Sequence, residues 1–406
     1  MSTRKLKVHV RGIGTIGEPL VNMLLSLRTI PGIDLGIDSV TFSKSSARGS
    51  ERVQILSSLG GKFVSDDRDL FKSLGFPLIQ ESETRAMKNA DVVIDCTPDG
   101  VAKAKISDYA AWIEDPEVRL SRVIAQGSES GFGMPFVAGL EGSNEGHSQH
   151  DSPSGLYQVK SCNTHSMAII ASAIANATPS RPVESLDFTC IRRANDIYQP
   201  NGNLSISSSE NSGLNGTHHA KDVEEVLAKD ECIAPQFEKA IITSRAVKVP
   251  TQFMHAISFS MTLGQSNQYE WNPDDQPADI LHKSHLLVDI ENIRLRILQG
   301  DNPAIRATSL DNTCEVFGLG RDYGFMGRIL AGSVVPEKSF NVVSVGHLGK
   351  LHVSGTVFTP QDSNTLLSTM TLVLEKLLNK NRESDKMSWN QCYDLLSRII
   401  PTTDGI

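Results

Sequence analysis

A chain of 406 residues is too long for one compact domain; at roughly 150 residues per domain it implies two or three. With 39% hydrophobic and 21% charged residues it is not a wholly disordered chain, and a net charge of −8 gives no global electrostatic case for nucleic acid or an anionic membrane surface. No apolar run approaches the roughly 18–20 residues that cross a bilayer, no secretory segment opens the chain, and the six cysteines are scattered without metal-type or disulfide-framework spacing. A soluble, cytoplasmic enzyme is the expectation, with one cysteine chemical rather than structural.

In chain order, Leu6, Val8 and Val10 alternate as a short strand, Gly12 to Gly17 form a glycine turn, and Pro19–Leu27 repeats as an apolar-faced helix. Ile37, Val40 and Phe42 mark a second strand. Strands at Ala90–Cys96 and Arg122–Ala125 follow, with helices near Asp66–Leu74 and Ala102–Trp112. Such alternation argues for an α/β Rossmann-type doubly wound parallel sheet. A polar insert at 141–155 interrupts it. Leu156–Lys160 is strand-like, a helix runs from Cys162 through Ala177, and Leu186–Ile191 is a strand. Asn201–Thr217 reads as a long loop. Further strands are expected at Ala240–Val249, Ala256–Leu263, His285–Val288, Val342–Val345 and Leu351–Thr359, then an amphipathic helix over Asn364–Leu378. The implied organisation is a dinucleotide-binding domain over 1–160 and an α+β catalytic domain with a mainly antiparallel sheet over 161–360. A C-terminal helix over 361–406, with a tail, returns to the first domain.

The turn Gly12-Ile13-Gly14-Thr15-Ile16-Gly17 is a full G-x-G-x-x-G between strand and helix. Its glycines permit a tight turn and close approach to a pyrophosphate at the helix N-terminus. The second strand runs into Lys44 and Arg48 among hydroxyl residues, which favours the 2′-phosphate of NADP; Asp38 would favour NAD if the strand ended earlier. Thr97 follows the Ala90–Cys96 strand, where the ligand crevice of such a sheet lies. Ser161-Cys162-Asn163-Thr164 stands where a strand gives way to a helix. There the dipole lowers a thiol pKa, although a capped helix with an incidental cysteine has the same pattern. Arg192 and Arg193 end a strand, and His218 and His219 end a polar loop; such cations suit a phosphorylated substrate or a solvated face. His255 sits among apolar residues as a core histidine, or as the general base if it faces Cys162. The histidines lack a matched carboxylate or thiolate, so no metal site is expected.

Several blocks in order carry a resemblance: Gly12–Gly17, Val93–Gly100, Ala125–Gly127, Val159–Thr164, Ile191–Arg193, Thr217–Val223 and Val249–His255. Over residues 5 to 260 the chain resembles the archaeal-type (type II) phosphorylating glyceraldehyde-3-phosphate dehydrogenases. The resemblance implies Cys162 as nucleophile, His255 as base, and Ser161, Asn163, Arg192, His218 and His219 as substrate and phosphate contacts. It also implies cofactor contacts at Thr15, Ile16 and Gly127, beside the turn glycines, Lys44 and Thr97, and a homotetramer using NADP or NAD, a triose phosphate and inorganic phosphate. The sequence departs from the family at Arg11, His165, Ser166, Ala220 and Lys221. Another thiol-dependent semialdehyde reductase, such as an aspartate-semialdehyde dehydrogenase, and a non-catalytic NADP-binding regulator are the competing readings.

Overall fold

The computed structural model describes residues 5–28, 36–47, 49–77, 81–127, 129–140, 152–193, 207–208, 215–249, 255–268, 274, 276, 285–298, 335–336, 341–345, 350–359 and 363–378. Most of the polar insert, Arg48, most of the loop over 201–217, residues 250–254 and everything after 378 lie outside them.

A seven-stranded sheet is formed by β1 (Leu6–Arg11), β2 (Ile37–Ser43), β3 (Lys62–Val64), β4 (Val92–Asp95), β5 (Arg122–Gln126), β6 (Met134–Phe136) and β7 (Leu156–Val159), in the order β3-β2-β1-β4-β5-β7-β6. Every pairing is parallel. The chain order reverses between β1 and β4, the switch point at which a doubly wound sheet binds its ligand. The central strands are buried on both faces, which is why Val92–Asp95 and Arg122–Gln126 read as continuous runs rather than alternations. Helix α1 (Gly17–Arg28) buries Leu20, Val21, Met23, Leu24, Leu25 and Leu27. Helices α2 (Glu51–Ser58), α3 (Arg68–Ser73), α4 (Glu83–Asn89) and α5 (Ile106–Glu114) complete the crossovers, α5 being preceded by a 3-10 turn at Lys103–Lys105.

The second sheet is mixed. β8 (Val183–Arg193), β9 (Ser207–Ser208), β10 (Ile241–Val249), β11 (His255–Leu263), β12 (Val335–Pro336) and β14 (Lys350–Thr359) lie in the order β12-β14-β11-β8-β10-β9, and β13 (Asn341–Val345) pairs with β14. Only β8 and β10 run parallel; the other pairs are antiparallel. β11 alternates buried and half-buried residues along its whole length, as a strand with one face on the core does.

Helix α6 (Cys162–Ala177) touches strands β8, β11 and β14 of the second sheet, and its side chains are buried from Asn163 to Ala175. Alanines at 168, 171, 173, 175 and 177 let its neighbours approach closely. The remaining helices among the described residues are α7 (His218–Leu227), α8 (Ala234–Phe237), α9 (Leu286–Leu298) and α10 (Ser363–Leu378). α10 packs on α6 and against β5 and β7. Its Thr369 accepts a hydrogen bond from Gln126 at 2.7 Å, and Arg122 donates to the Leu372 carbonyl.

The strand expected at His285–Val288 is instead the start of α9. The three apolar residues after His285 belong to a longer helical period in which Leu286, Ile293 and Ile297 are buried, and Asp289 on that face pairs with Arg181 at 2.6 Å. His285 takes the left-handed conformation (φ 56°) immediately before it.

Candidate active site

The three turn glycines are needed for three different reasons. Gly12 has φ +84°, which excludes most side chains. A Cβ on Gly17 would lie 2.0 Å from the Gly12 carbonyl oxygen, so α1 can leave the turn only at glycine. A Cβ on Gly14 would meet nothing within 4 Å. Packing therefore requires Gly12 and Gly17, whereas Gly14 leaves open space at the mouth of the helix. That combination fits a pyrophosphate approaching the backbone, the fit expected of a dinucleotide cradle. Thr15 is half-buried in the same turn, and Ile16 packs against the core.

The other residues singled out in the first half of the chain lie along the same edge. Ser43 ends β2 and Lys44 follows it, partly exposed. Thr97 follows β4 and bonds Asp95 through both its amide (3.1 Å) and its hydroxyl (2.5 Å). Gly127 follows β5 with φ +74° and open space on its Cβ side. Cys162 follows β7. Because β1, β4, β5 and β7 are neighbours in the sheet, the glycine turn and Cys162 stand three strand spacings apart, about 14 Å. Burial holds the Cys96 thiol well above its ordinary pKa, so it stays protonated.

Cys162 is the first residue of α6. Ser161 caps the helix, its Oγ accepting from Thr164 N at 3.3 Å. Asn364 at the start of α10 donates to the Cys162 carbonyl at 2.9 Å, and His165 bonds Ser368 at 2.7 Å, so α10 grips the first turn of α6 from outside. Burial lowers the His165 pKa to about 4 and keeps the ring neutral.

The histidine pair does not end a loop; it begins α7, with Thr217 at the N-cap. Gly216 makes this possible: it has φ +90°, and a Cβ there would lie 1.8 Å from the Ser244 carbonyl oxygen. Thr217 and Ser244 hydroxyls then meet at 2.6 Å, and Ser244 Oγ accepts from Ala220 N at 3.1 Å. Lys160, fully buried, bonds Asp222 and Glu225 of α7 at 2.8 Å each, tying that helix to the strand that leads into Cys162.

His219 is buried, with Nδ1 3.5 Å from Ser161 Oγ and 3.4 Å from Thr164 Oγ1, and its ring lies 4.1 Å from that of His218. Its pKa is pushed well down, first by burial and then by the charges of His218, Arg192 and His255. His218 is lowered by desolvation, opposed by Asp222 and reinforced by Arg192 and Lys160. Cys190, pushed up to about 12 by burial, responds to Arg192 and Cys162. These mutual influences place Cys162, Arg192, His218, His219 and His255 in one neighbourhood. Arg192 is the penultimate residue of β8 and His255 opens the adjacent β11, so both stand at the same end of the second sheet.

Three buried polar atoms here have no hydrogen-bond partner: Asn163 Oδ1, Arg192 Nε and His219 Nε2. Buried polar groups are rarely left so. Donors and an acceptor in the neighbourhood of a half-buried thiol suit a polar, anionic ligand.

Contrary to the expectation from spacing, the histidines do have a matched carboxylate: Asp222 lies on α7 one turn beyond His218, and ligand atoms of His218, His219 and Asp222 all lie within 4.8 Å of one another. Lys160 already holds Asp222 Oδ1, and Lys160 and Arg192 both act on His218. That cationic surrounding suits an anion better than a metal ion. Lys160, Asp222, Gly216 and Asn364 are the structural supports that spacing did not single out.

No protein-family model matches the chain. It is similar to glyceraldehyde-3-phosphate dehydrogenase 2 of Methanosarcina acetivorans, 28% identical over 64% of this chain and 68% of that one. It is also similar to the glyceraldehyde-3-phosphate dehydrogenase of Methanosarcina mazei (26% identical over 79% and 80%) and that of Sulfurisphaera tokodaii (24% over 79% and 79%). These likenesses support an oxidoreductase of the glyceraldehyde-3-phosphate dehydrogenase type, and with the Rossmann-like sheet they suggest a nicotinamide dinucleotide cofactor. Among the described residues no helix is long and apolar enough to cross a membrane.

Proposed function

We propose that the chain is a type II phosphorylating glyceraldehyde-3-phosphate dehydrogenase, converting an aldehyde and inorganic phosphate to an acyl phosphate. The observation that carries this reading is the set of three unpartnered buried polar atoms in the neighbourhood of Cys162, a half-buried thiol at a capped helix start on the same sheet edge as the glycine turn.

In this reading residues 1–160 hold the cofactor and 161–360 the substrate. Gly12, Gly14, Thr15, Ile16, Gly17, Thr97 and Gly127 hold a nicotinamide dinucleotide, with Lys44 as the nearby cation at the end of β2. When bound, that group supplies the hydride acceptor the oxidation needs. Cys162 Sγ adds to the aldehyde carbon, and its proton passes to His255. The positive end of α6 favours the thiolate. The first turn of α6, with Asn163, orients the substrate. After oxidation the acyl group is a thioester on Cys162. Arg192, His218 and His219 hold the phosphate groups, one of which attacks the thioester carbon and releases the thiolate. The low pKa of His219 keeps that ring neutral near pH 7, so it orients through hydrogen bonds while Arg192 carries the charge.

Purified protein is expected to reduce NAD or NADP with glyceraldehyde 3-phosphate only when phosphate is present. Cys162→Ser should lower turnover by at least about 10⁴-fold while nucleotide still binds. Turnover of aspartate semialdehyde with inactivity on glyceraldehyde 3-phosphate would favour the semialdehyde reductase instead. The family resemblance also implies a cytoplasmic homotetramer, which sedimentation tests for its oligomeric part.

A further inference from the structure

The cofactor edge holds a carboxylate that neither the glycine turn nor the end of β2 announces. Arg11 closes β1, Ser43 closes β2, and the two pair in register. Gly12 N donates to the Ser43 carbonyl at 3.1 Å, so Ser43 borders the glycine turn. In doubly wound sheets this strand end meets the adenosine ribose. An acid there accepts from the 2′-hydroxyl, whereas a cation accommodates a 2′-phosphate. Ser43 has no charge, but its Oγ donates to Glu83 Oε1 at 2.5 Å. Glu83 is the first residue of α4, and its side chain is 20% exposed although Ser43 is buried.

The cation beside it is already engaged. Arg11 Nη1 donates to Asp95 at 2.9 Å, and its Nε lies 3.5 Å from Glu83 Oε1. Asp95 is buried and also accepts from Tyr109 Oη at 2.6 Å and from Thr97. One guanidinium thus faces two carboxylates, and the more exposed of the two is Glu83. Its place is fixed a third time by its own backbone amide, which donates to Asp66 at 3.0 Å.

We infer that Glu83 is the specificity-determining residue for the cofactor: it reads the ribose 2′-hydroxyl, repels a 2′-phosphate, and makes the chain select NAD over NADP. This rests on the dinucleotide-binding reading and reverses the preference that Lys44 suggests by itself. The reason is placement. Lys44 lies one residue beyond the strand and is partly exposed, whereas Glu83 is held at the strand end by Ser43, Arg11 and a helix start. A fixed anion a few ångströms from a phosphate is repelled strongly even after screening by salt.

The test is fluorescence titration of the full chain with NADH and NADPH, without substrate. Wild type is expected to bind NADH about tenfold more tightly or better. Glu83→Gln retains an oxygen for the Ser43 hydroxyl and should reduce that ratio by about tenfold, mainly by tightening NADPH. Glu83→Leu removes both the charge and the acceptor and should move the ratio the same way. Equal ratios in all three proteins, with unchanged unfolding temperature, overturn the inference, as does a wild type that prefers NADPH. Failure of wild type to bind either nucleotide overturns the dinucleotide-binding reading and this inference together, so the two failures are distinguishable.

Discussion

The glycine turn after β1 and the helix start after β7 stand on one edge of the same parallel sheet, and they are specified in opposite ways. The turn is a backbone site. Its determinants lie within six residues, and its sterics are absolute: a Cβ on Gly17 would lie 2.0 Å from the Gly12 carbonyl oxygen, whereas Gly14 faces open space. The cysteine end is a side-chain site drawn from α6, α7, β8 and β11, held from below by Lys160 and from outside by α10. Backbone sites of the first kind announce themselves in sequence, whereas sites of the second kind depend on distant polar ties that the fold must complete.

The largest expected effect tests those ties. Lys160→Met leaves the buried Asp222 without its cation and the half-buried Glu225 with only Lys221 at 3.9 Å, and should cost about 3–5 kcal/mol in urea denaturation. Adding Asp222→Asn should recover part of that loss; no recovery would mean that Lys160 acts by packing alone. The turn breaks differently. Gly17→Ala should cost about 3 kcal/mol, because backbone rather than a flexible side chain must move. Gly14→Ala should leave the unfolding midpoint nearly unchanged and weaken nucleotide binding. Equal stability loss in the two alanine variants would remove the distinction between packing glycine and ligand glycine.

A pH experiment reads both ends at once. His9 in β1 and His165 in α6 are fully buried, with pKa values lowered to about 3 and about 4. Each is neutral in the folded chain, whereas the unfolded chain takes up a proton near pH 6.5. Stability is therefore full above that value and falls as the pH drops toward 4 and 3. Each histidine contributes about 1 kcal/mol between pH 6.5 and 5.5, rising to about 1.4 kcal/mol per pH unit below that, so lowering the pH from 6.5 to 5.5 should cost about 2 kcal/mol. His165→Asn should roughly halve the slope. An unchanged slope would show that His165 already titrates in the folded state.

What was legible in the sequence follows the same division. The glycine turn, the buried strand runs and the span of α6 could be read because each is fixed by local sterics or periodicity. The His285–Val288 run gives no such signal, because three apolar residues do not separate a strand from the opening turn of a helix. Asp222 was visible at helical spacing from His218, but only to a reading that started α7 at Thr217; Gly216, whose backbone nearly touches Ser244, was the available signal. Glu83 and Asn364 had no signal. Nothing in their neighbours tells that the first will meet Ser43 and the second the carbonyl of Cys162.

The smallest predicted effect is the most informative about how the two ends communicate. Asn364 is fully buried; it donates to the Cys162 carbonyl at 2.9 Å while its own Oδ1 accepts from Thr365 N at 2.8 Å. It therefore joins the starts of α10 and α6. Asn364→Ala removes one hydrogen bond and should cost about 1 kcal/mol. If the bond also fixes where Sγ points, alkylation of Cys162 by iodoacetamide should slow, and kcat should fall with little change in KM. Asn364→Asp keeps the shape but sets an acceptor against an acceptor, so it should slow alkylation more than the alanine variant. A purely structural anchor would lower the unfolding temperature in both variants and leave the alkylation rate untouched. In that case the orientation of Cys162 belongs to α6 and its Ser161 cap alone, and α10 holds the sheet without touching the chemistry.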